Sequence, residues 1–277
     1  MTTARPSVAD KRRRFHELHA SGCFVIPNPW DRGSAVWLQS LGFPALASTS
    51  SGFAWSVARP DNGITRDQAL QHLAELVDAT DVPINADFES GFARDAAGVA
   101  ESVRLAVSTG VAGLSIEDST GDAARPLFTR AEAVERLSAA RRAIDAAGGD
   151  TLLVGRAECL LVGVNDLDEV IARLQAYADA GADCLYAPGL REPDQIRAVV
   201  QAVAPRPVNL LVGWPSSLAV ADYAAMGVRR ISLGGALARA AWGGLQRAAR
   251  QLADQGRFDA LADAAKGAEL NGLFLAR

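Results

Sequence analysis

The sequence predicts an α/β protein: a single (β/α)8 TIM barrel with an additional C-terminal helical segment. Three observations carry that prediction. One phrase recurs, in which a helical pattern ends at a glycine and a short apolar strand begins a few residues later, around Gly42, Gly110, Gly181 and Gly227. Nothing between these phrases reads as a hairpin turn, which argues for parallel strands joined by right-handed crossovers. The chain has 277 residues, 49% of them hydrophobic and 22% charged, enough for one such barrel and its core. The competing topology is an open doubly wound sheet. No glycine fingerprint follows the first strand, which speaks against it.

Strands are expected at 23–27, 45–48, 82–87, 113–117, 152–156, 184–187, 208–212 and 229–233. They are short and rich in Val, Ile, Leu and Ala, as strands buried on both faces should be. Helical patterns fill most gaps, for example 96–109, 130–147, 167–180 and 217–225. Each recurring glycine is expected to close its helix in a left-handed cap. The basic run at 11–14 reads as a solvated helix face. Residues 1–277 are expected to form one barrel domain, with 254–277 as a helical extension. That extension carries Phe258, Leu261, Leu270, Leu273 and Phe274, more apolar surface than a free tail needs. It is expected to pack on the barrel or on a neighbouring subunit.

Composition excludes several classes of function. No apolar run is long enough to span a membrane, and the opening residues lack the apolar core of a secretion signal. Three cysteines (Cys23, Cys159, Cys184) in or beside apolar strands suit reduced thiols, so a cytoplasmic location is expected. The net charge of −4 is spread among mixed signs, so no basic field invites nucleic acid. The only lysines, Lys11 and Lys266, lie near the termini, which leaves a Schiff-base mechanism without a nucleophile. His16, His19 and His72 all lie away from strand ends, so a histidine-held zinc is not expected.

Barrel enzymes build their sites at the carboxyl ends of the strands. There the acids gather after the third, fourth and fifth strands. Asp87, Glu89 and Glu117 form an oxygen donor set suited to Mg²⁺, with Mn²⁺ as the alternative. A cation held there would chelate a 2-oxo carboxylate and stabilise an enolate. After the second strand, Ser51, Gly52 and Phe53 can present backbone amides and a hydroxyl to an anion. Arg156 can clamp a second anionic group, or pair structurally with the neighbouring Glu158. Cys159, just beyond, reads either as a proton donor or as a buried bystander thiol.

These residues sit in segments that resemble the isocitrate lyase/phosphoenolpyruvate mutase superfamily: NPWD (28–31), STSSGFAWSVARPD (48–61), NADFESGF (85–92), GLSIEDS (113–119) and GRAE (155–158). PVNLLV (207–212) and RRISLGG (229–235) match more loosely. The resemblance implies a Mg²⁺-dependent (β/α)8 barrel, usually tetrameric, in which a C-terminal helix is swapped between neighbours, so a homo-oligomer, dimer or tetramer, is expected. It implies substrates that are 2-oxo acids, dicarboxylates or phosphonates. By resemblance, Ser51, Gly52 and Phe53 match a carboxylate and oxyanion turn, and Asp61 an acid near metal-bound water. Asp87 and Glu117 match metal-shell acids, Arg156 the substrate arginine, and Asn209 a polar residue of the seventh strand.

Two departures narrow the reaction. The acid–Ala–acid pair on the third strand reads Asn85-Ala86-Asp87, with Glu89 expected to replace the missing carboxylate. The loop at 119–128 lacks the Lys–Cys–Gly–His element of the isocitrate lyases and the Lys and Asn of the phosphorus–carbon enzymes; Arg125 is its one cation. The expected activity is therefore that of a carbon–carbon lyase or decarboxylase acting on a small, oxaloacetate-like 2-oxo acid through an enolate, because a decarboxylation product can take its proton from water. Phosphorus–carbon chemistry (a phosphoenolpyruvate mutase or phosphonopyruvate hydrolase) is the alternative. A catalytically weak 2-oxo acid binding protein is a second one.

Overall fold

Eight strands form one sheet in which every pairing is parallel, in the order β1-β8-β7-β6-β5-β4-β3-β2. The computed structural model describes residues 5–275. The strands are β1 (Phe24–Ile26), β2 (Leu46–Ala47), β3 (Ile84–Asp87), β4 (Gly113–Glu117), β5 (Leu152–Arg156), β6 (Cys184–Tyr186), β7 (Val208–Leu211) and β8 (Arg230–Ser232). All eight fall inside the ranges expected from the sequence. The sheet is a near-closed (β/α)8 barrel. Its ends meet at the seam between β1 and β2, where Ala47 N donates to Pro27 O and Asn28 Nδ2 donates to Ser48 O.

The helices are α1 (Val8–Ala20), α2 (Arg32–Ser40), α3 (Ser50–Ser56), α4 (Arg66–Ala79), α5 (Ala96–Ser108), α6 (Arg130–Ala146), α7 (Leu167–Asp179), α8 (Pro193–Ala202), α9 (Val220–Ala225), α10 (Ala236–Gln255) and α11 (Gly267–Leu275). Side-chain caps start most of them: Asp31, Thr49, Thr65, Asp95, Thr129 and Asp166 each accept a backbone N–H of the first turn. Gly42, Gly110, Gly181 and Gly227 all take the left-handed conformation expected of them. At Gly181 and Gly227 a Cβ would also press into Arg141 and Val200.

Two apolar layers result. Strand faces and helices share an outer core that includes Leu46, Leu73, Leu114, Leu137, Leu174 and Leu210. A smaller cluster fills the lower lumen: Phe24, Ile26, Ala45, Ala47, Ala112, Leu152, Val154 and Cys184, plugged from below by Phe15 of α1. The basic run departs from expectation. Lys11 and Arg12 are buried, not solvated. Lys11 Nζ donates to Val77 O at 3.1 Å and to Thr80 O; Arg12 donates to Val107 O and Val111 O. The helix α1 closes the barrel bottom, where α4 and α5 end, and its cations satisfy carbonyls that those helix ends leave unpaired.

In the extension, Leu270 and Phe274 of α11 line an apolar groove with Trp30 and Trp37, while Phe258 and Leu261 stay exposed. No helix among the described residues is long and apolar enough to cross a membrane.

Candidate active site

One row of backbone register crosses five strands: Glu117 pairs with Arg156, Arg156 with Tyr186, Tyr186 with Asn209 and Asn209 with Arg230. Glu117 closes β4 whereas Arg230 opens β8, so the row descends through the lumen, as the stagger of a tilted barrel requires. Above it lies a polar cavity of about 190 Å³. Its wall includes Asn28, Ser50, Ser51, Asp61, Asn85, Asp87, Ser115, Arg156, Tyr186, Asn209, Arg230 and Ser232.

Asp87, the last residue of β3, is held by residues that follow β2. Its N–H donates to Ser48 Oγ at 2.8 Å, and its Oδ2 accepts from both N and Oγ of Ser50 at 2.9 Å. Its Oδ1 lies 3.1 Å from Arg156 Nη1. The same Nη1 is 3.1 Å from Glu117 Oε2, and Arg156 Nε donates to Glu158 Oε1. Of the two readings open for Arg156, the ion pair with Glu158 is present. The guanidinium nevertheless faces the cavity rather than solvent. Burial opposes its charge, but Glu117 and Glu158 outweigh that effect and hold its proton well above the ordinary arginine range.

The trio expected to hold a metal is only partly brought together. Asp87 lines the cavity, but Glu89 and Glu117 do not, and among the described residues no three acid, imidazole or thiol side chains converge as a ready metal shell. The physical reason is Arg156, whose Nη1 lies between Asp87 and Glu117. Glu89 sits in a contorted loop at φ 46°, with its Oε1 buried and without a hydrogen-bond partner. Burial, then Asp87 and Asp61, push its carboxyl up to about 8. Burial likewise raises Glu117 well above the usual carboxylate range, against the pull of Arg156, and burial followed by Asp87 raises Asp61 at the cavity wall.

The anion turn is also different from expectation. Thr49 caps α3, so Ser51, Gly52 and Phe53 form the first turn of a helix, not an open loop. Gly52 N donates to Thr49 Oγ1 at 3.2 Å and Phe53 N to Thr49 O at 3.0 Å, which uses both amides within the helix start. Gly52 is a packing glycine: a Cβ there would lie 2.6 Å from Thr49 Cγ2 and 3.1 Å from Trp30 Cβ. The Phe53 ring stacks on His72 at 3.9 Å, away from the cavity. Only Ser51, with Ser50 beside it, reaches the cavity. Asn209 is fully buried; its Nδ2 donates to Ser232 Oγ at 2.9 Å and its Oδ1 accepts from Arg230 Nε at 2.7 Å.

Other candidates fall outside the cavity. Arg125 pairs with Glu132 at the surface. Asp118 is a brace: it accepts from Tyr177 Oη at 2.6 Å, Arg173 Nη1 at 2.9 Å and Glu158 N at 2.8 Å. Cys159 is buried outside the cavity wall, and burial pushes its thiol up to about 11. Sequence reasoning missed Ser50, Tyr186 and Arg230. The signal was available for Arg230, since a charged residue stands within the apolar strand RRISL at a position facing the lumen.

The chain and its fold match known proteins. The phosphoenolpyruvate phosphomutase family model matches residues 15–253. The crystal structure of a candidate lyase/mutase from Burkholderia cenocepacia J2315 is 47% identical, with a TM-score of 0.94 and 97% of each chain covered. The 2-methylisocitrate lyase of Escherichia coli K12 is 33% identical over 61% of this chain and 58% of its own. The oxaloacetate decarboxylase of Paraburkholderia xenovorans LB400 is 29% identical over 80% of this chain and 74% of its own. This chain belongs to the phosphoenolpyruvate phosphomutase family, within the isocitrate lyase/phosphoenolpyruvate mutase superfamily of lyases and mutases that act on small carboxylates.

Proposed function

We propose that the protein is a Mg²⁺-dependent carbon–carbon lyase or decarboxylase of a small 2-oxo acid or dicarboxylate, oxaloacetate being the model substrate. One observation carries the reading. Asp87, Glu117 and Glu158 contact the single guanidinium of Arg156, with Asp61 and Glu89 in electrostatic reach, so the cavity mouth gathers more carboxyl groups than one cation can pair. Protons relieve that surplus at Glu89; a divalent cation relieves it as well.

The donor chemistry fits such an ion. All candidate ligands are oxygens, and Glu89 Oε1 is a buried acceptor without a partner. Mg²⁺ keeps several waters, so carboxylates that do not converge on one point still suit it. Asp87 would hold the ion directly, with Asp61, Glu89 and Glu117 holding its waters. When bound, it supplies Lewis acidity to a chelated 2-oxo carboxylate. Ser50 fixes the Asp87 carboxylate, and Ser51 Oγ offers a donor for the developing enolate oxygen. Asp61 stands at the cavity wall, within reach to exchange a proton with a bound acid. Arg156, anchored by Glu158, keeps one face toward the substrate and limits repulsion between its anion and the surrounding acids. A polar cavity of this size suits a compact acid.

The test is direct: purified protein with Mg²⁺ and oxaloacetate should form pyruvate well above the rate with metal alone, and no excess rate removes this substrate. Phosphorus NMR on phosphonopyruvate separates the alternative, for which the cavity has no lysine and Arg125 lies elsewhere. The exposed apolar residues Trp242, Leu245 and Leu252 of α10, continued by Phe258 and Leu261, support a homo-oligomer. Light scattering would measure it.

A further inference from the structure

Arg230 is only 2% exposed, yet it lines the cavity one level below the acids. Each of its hydrogen-bond partners is neutral. Nε donates to Asn209 Oδ1 at 2.7 Å, and Nη1 lies 3.3 Å from both Asn85 Oδ1 and His19 Nε2. His19 Nδ1 lies 2.7 Å from Phe15 O, a contact that needs the proton on Nδ1 and leaves the Nε2 lone pair for Arg230. Among the described residues no carboxylate stands at ion-pair distance from this guanidinium. The groups that act on it electrostatically are Cys184 and Tyr186, both themselves held protonated by burial.

A buried guanidinium without a counter-charge is costly, and amide dipoles only lower that cost. The two arginines of the lumen thus differ: Arg156 is already shared by three acids, while Arg230 has none. We infer that Arg230 binds the terminal carboxylate of a dicarboxylate substrate, with Asn85 and Asn209 orienting the guanidinium without discharging it. This rests on the reading of the cavity as a carboxylate site and names its substrate class.

Two details support the assignment. Asn85 stands where an acid would fall within salt-bridge reach of Arg230 and cancel it; the amide leaves the charge available. Gly113 makes room for that contact, since a Cβ there would lie 2.9 Å from Asn85 Oδ1. A single bare cation also matches a singly charged carboxylate, whereas a phosphoryl dianion would be left half paired.

The experiment is calorimetric titration with Mg²⁺ present, comparing malate with 2-hydroxybutanoate, which has a methyl in place of the terminal carboxylate. Wild type should bind malate roughly tenfold or more tightly than 2-hydroxybutanoate. Arg230→Met and Asn85→Asp should each bring malate down to the affinity of 2-hydroxybutanoate measured in the same variant. Near-UV circular dichroism verifies the fold. Should Arg230→Met not fold, Asn85→Asp decides alone, because it keeps the arginine. A malate preference that survives in a folded variant overturns the inference. Equal binding of both acids by wild type overturns the inference but leaves the carboxylate site standing; binding of neither overturns both.

Discussion

The cavity mouth and the level beneath it hold one arginine each, in opposite surroundings. At the mouth, Arg156 lies against Asp87, Glu117 and Glu158, with Asp61 and Glu89 in electrostatic reach. One layer down, Arg230 is held by two amide oxygens and a neutral imidazole. The same residue type is saturated in one place and bare in the other. The mouth suits a cation, the floor suits an anion, and a metal-chelated diacid spans both.

Removing the guanidinium should therefore have very different consequences at the two levels. Arg156→Met leaves the buried Glu117 and Glu158 and the half-buried Asp87 without their counter-charge and is expected to cost about 3–5 kcal/mol in denaturant unfolding. The two levels also answer to pH with opposite sign. Burial, then Arg230, lower the His19 imidazole from 6.5 to about 3, so the unfolded chain takes up this proton first. Stability from neutral His19 is complete above 6.5 and lost as pH falls toward 3. Glu89, raised from 4.5 to about 8, contributes most below 4.5 and loses that contribution as pH rises through 8. In chelator-treated protein, His19→Gln should shift the stability difference between pH 7 and pH 5 by about 2 kcal/mol in favour of pH 5, because the opposing Glu89 contribution is no longer offset. An unchanged profile would show that His19 is not held neutral beside Arg230.

Smaller effects sharpen the contrast. Arg230→Met removes a charge that no acid needs, so its unfolding free energy should stay within about 1 kcal/mol of wild type, the relieved desolvation offsetting the unpaired amide oxygens. A loss as large as that for Arg156→Met would place a hidden counter-charge at the floor. Arg125→Ala, at an exposed pair outside the cavity, should leave kcat/KM for the turned-over acid within about twofold.

Why the fold was legible and the site only partly so follows from where the information lies. The bounds of β4 and β5 match the sequence reading to the residue, because Gly113 and the turn before Leu152 punctuate continuous apolar runs. Reading strand ends found Asp87, Glu117 and Arg156. It could not show that Arg156 lies between the other two, since that depends on register and stagger across three strands. Ser51-Gly52-Phe53 reads locally as a turn, yet Thr49 caps it into a helix and uses the amides of Gly52 and Phe53. Arg230 escaped because it opens its strand instead of closing it; the stagger of the barrel is what brings it to the cavity. Lys11 and Arg12 read as surface charge because the helix ends they satisfy are distant in sequence.

The most direct measurement is a crystal structure grown with Mg²⁺ and malate. The expected result is the terminal carboxylate at hydrogen-bond distance, about 3 Å, from the Arg230 guanidinium, with the cation beside Asp87 and Arg156 still on Glu158. Both carboxylates gathered at Arg156, with Arg230 touching neither, would contradict the division of the cavity into a cation level and an anion level.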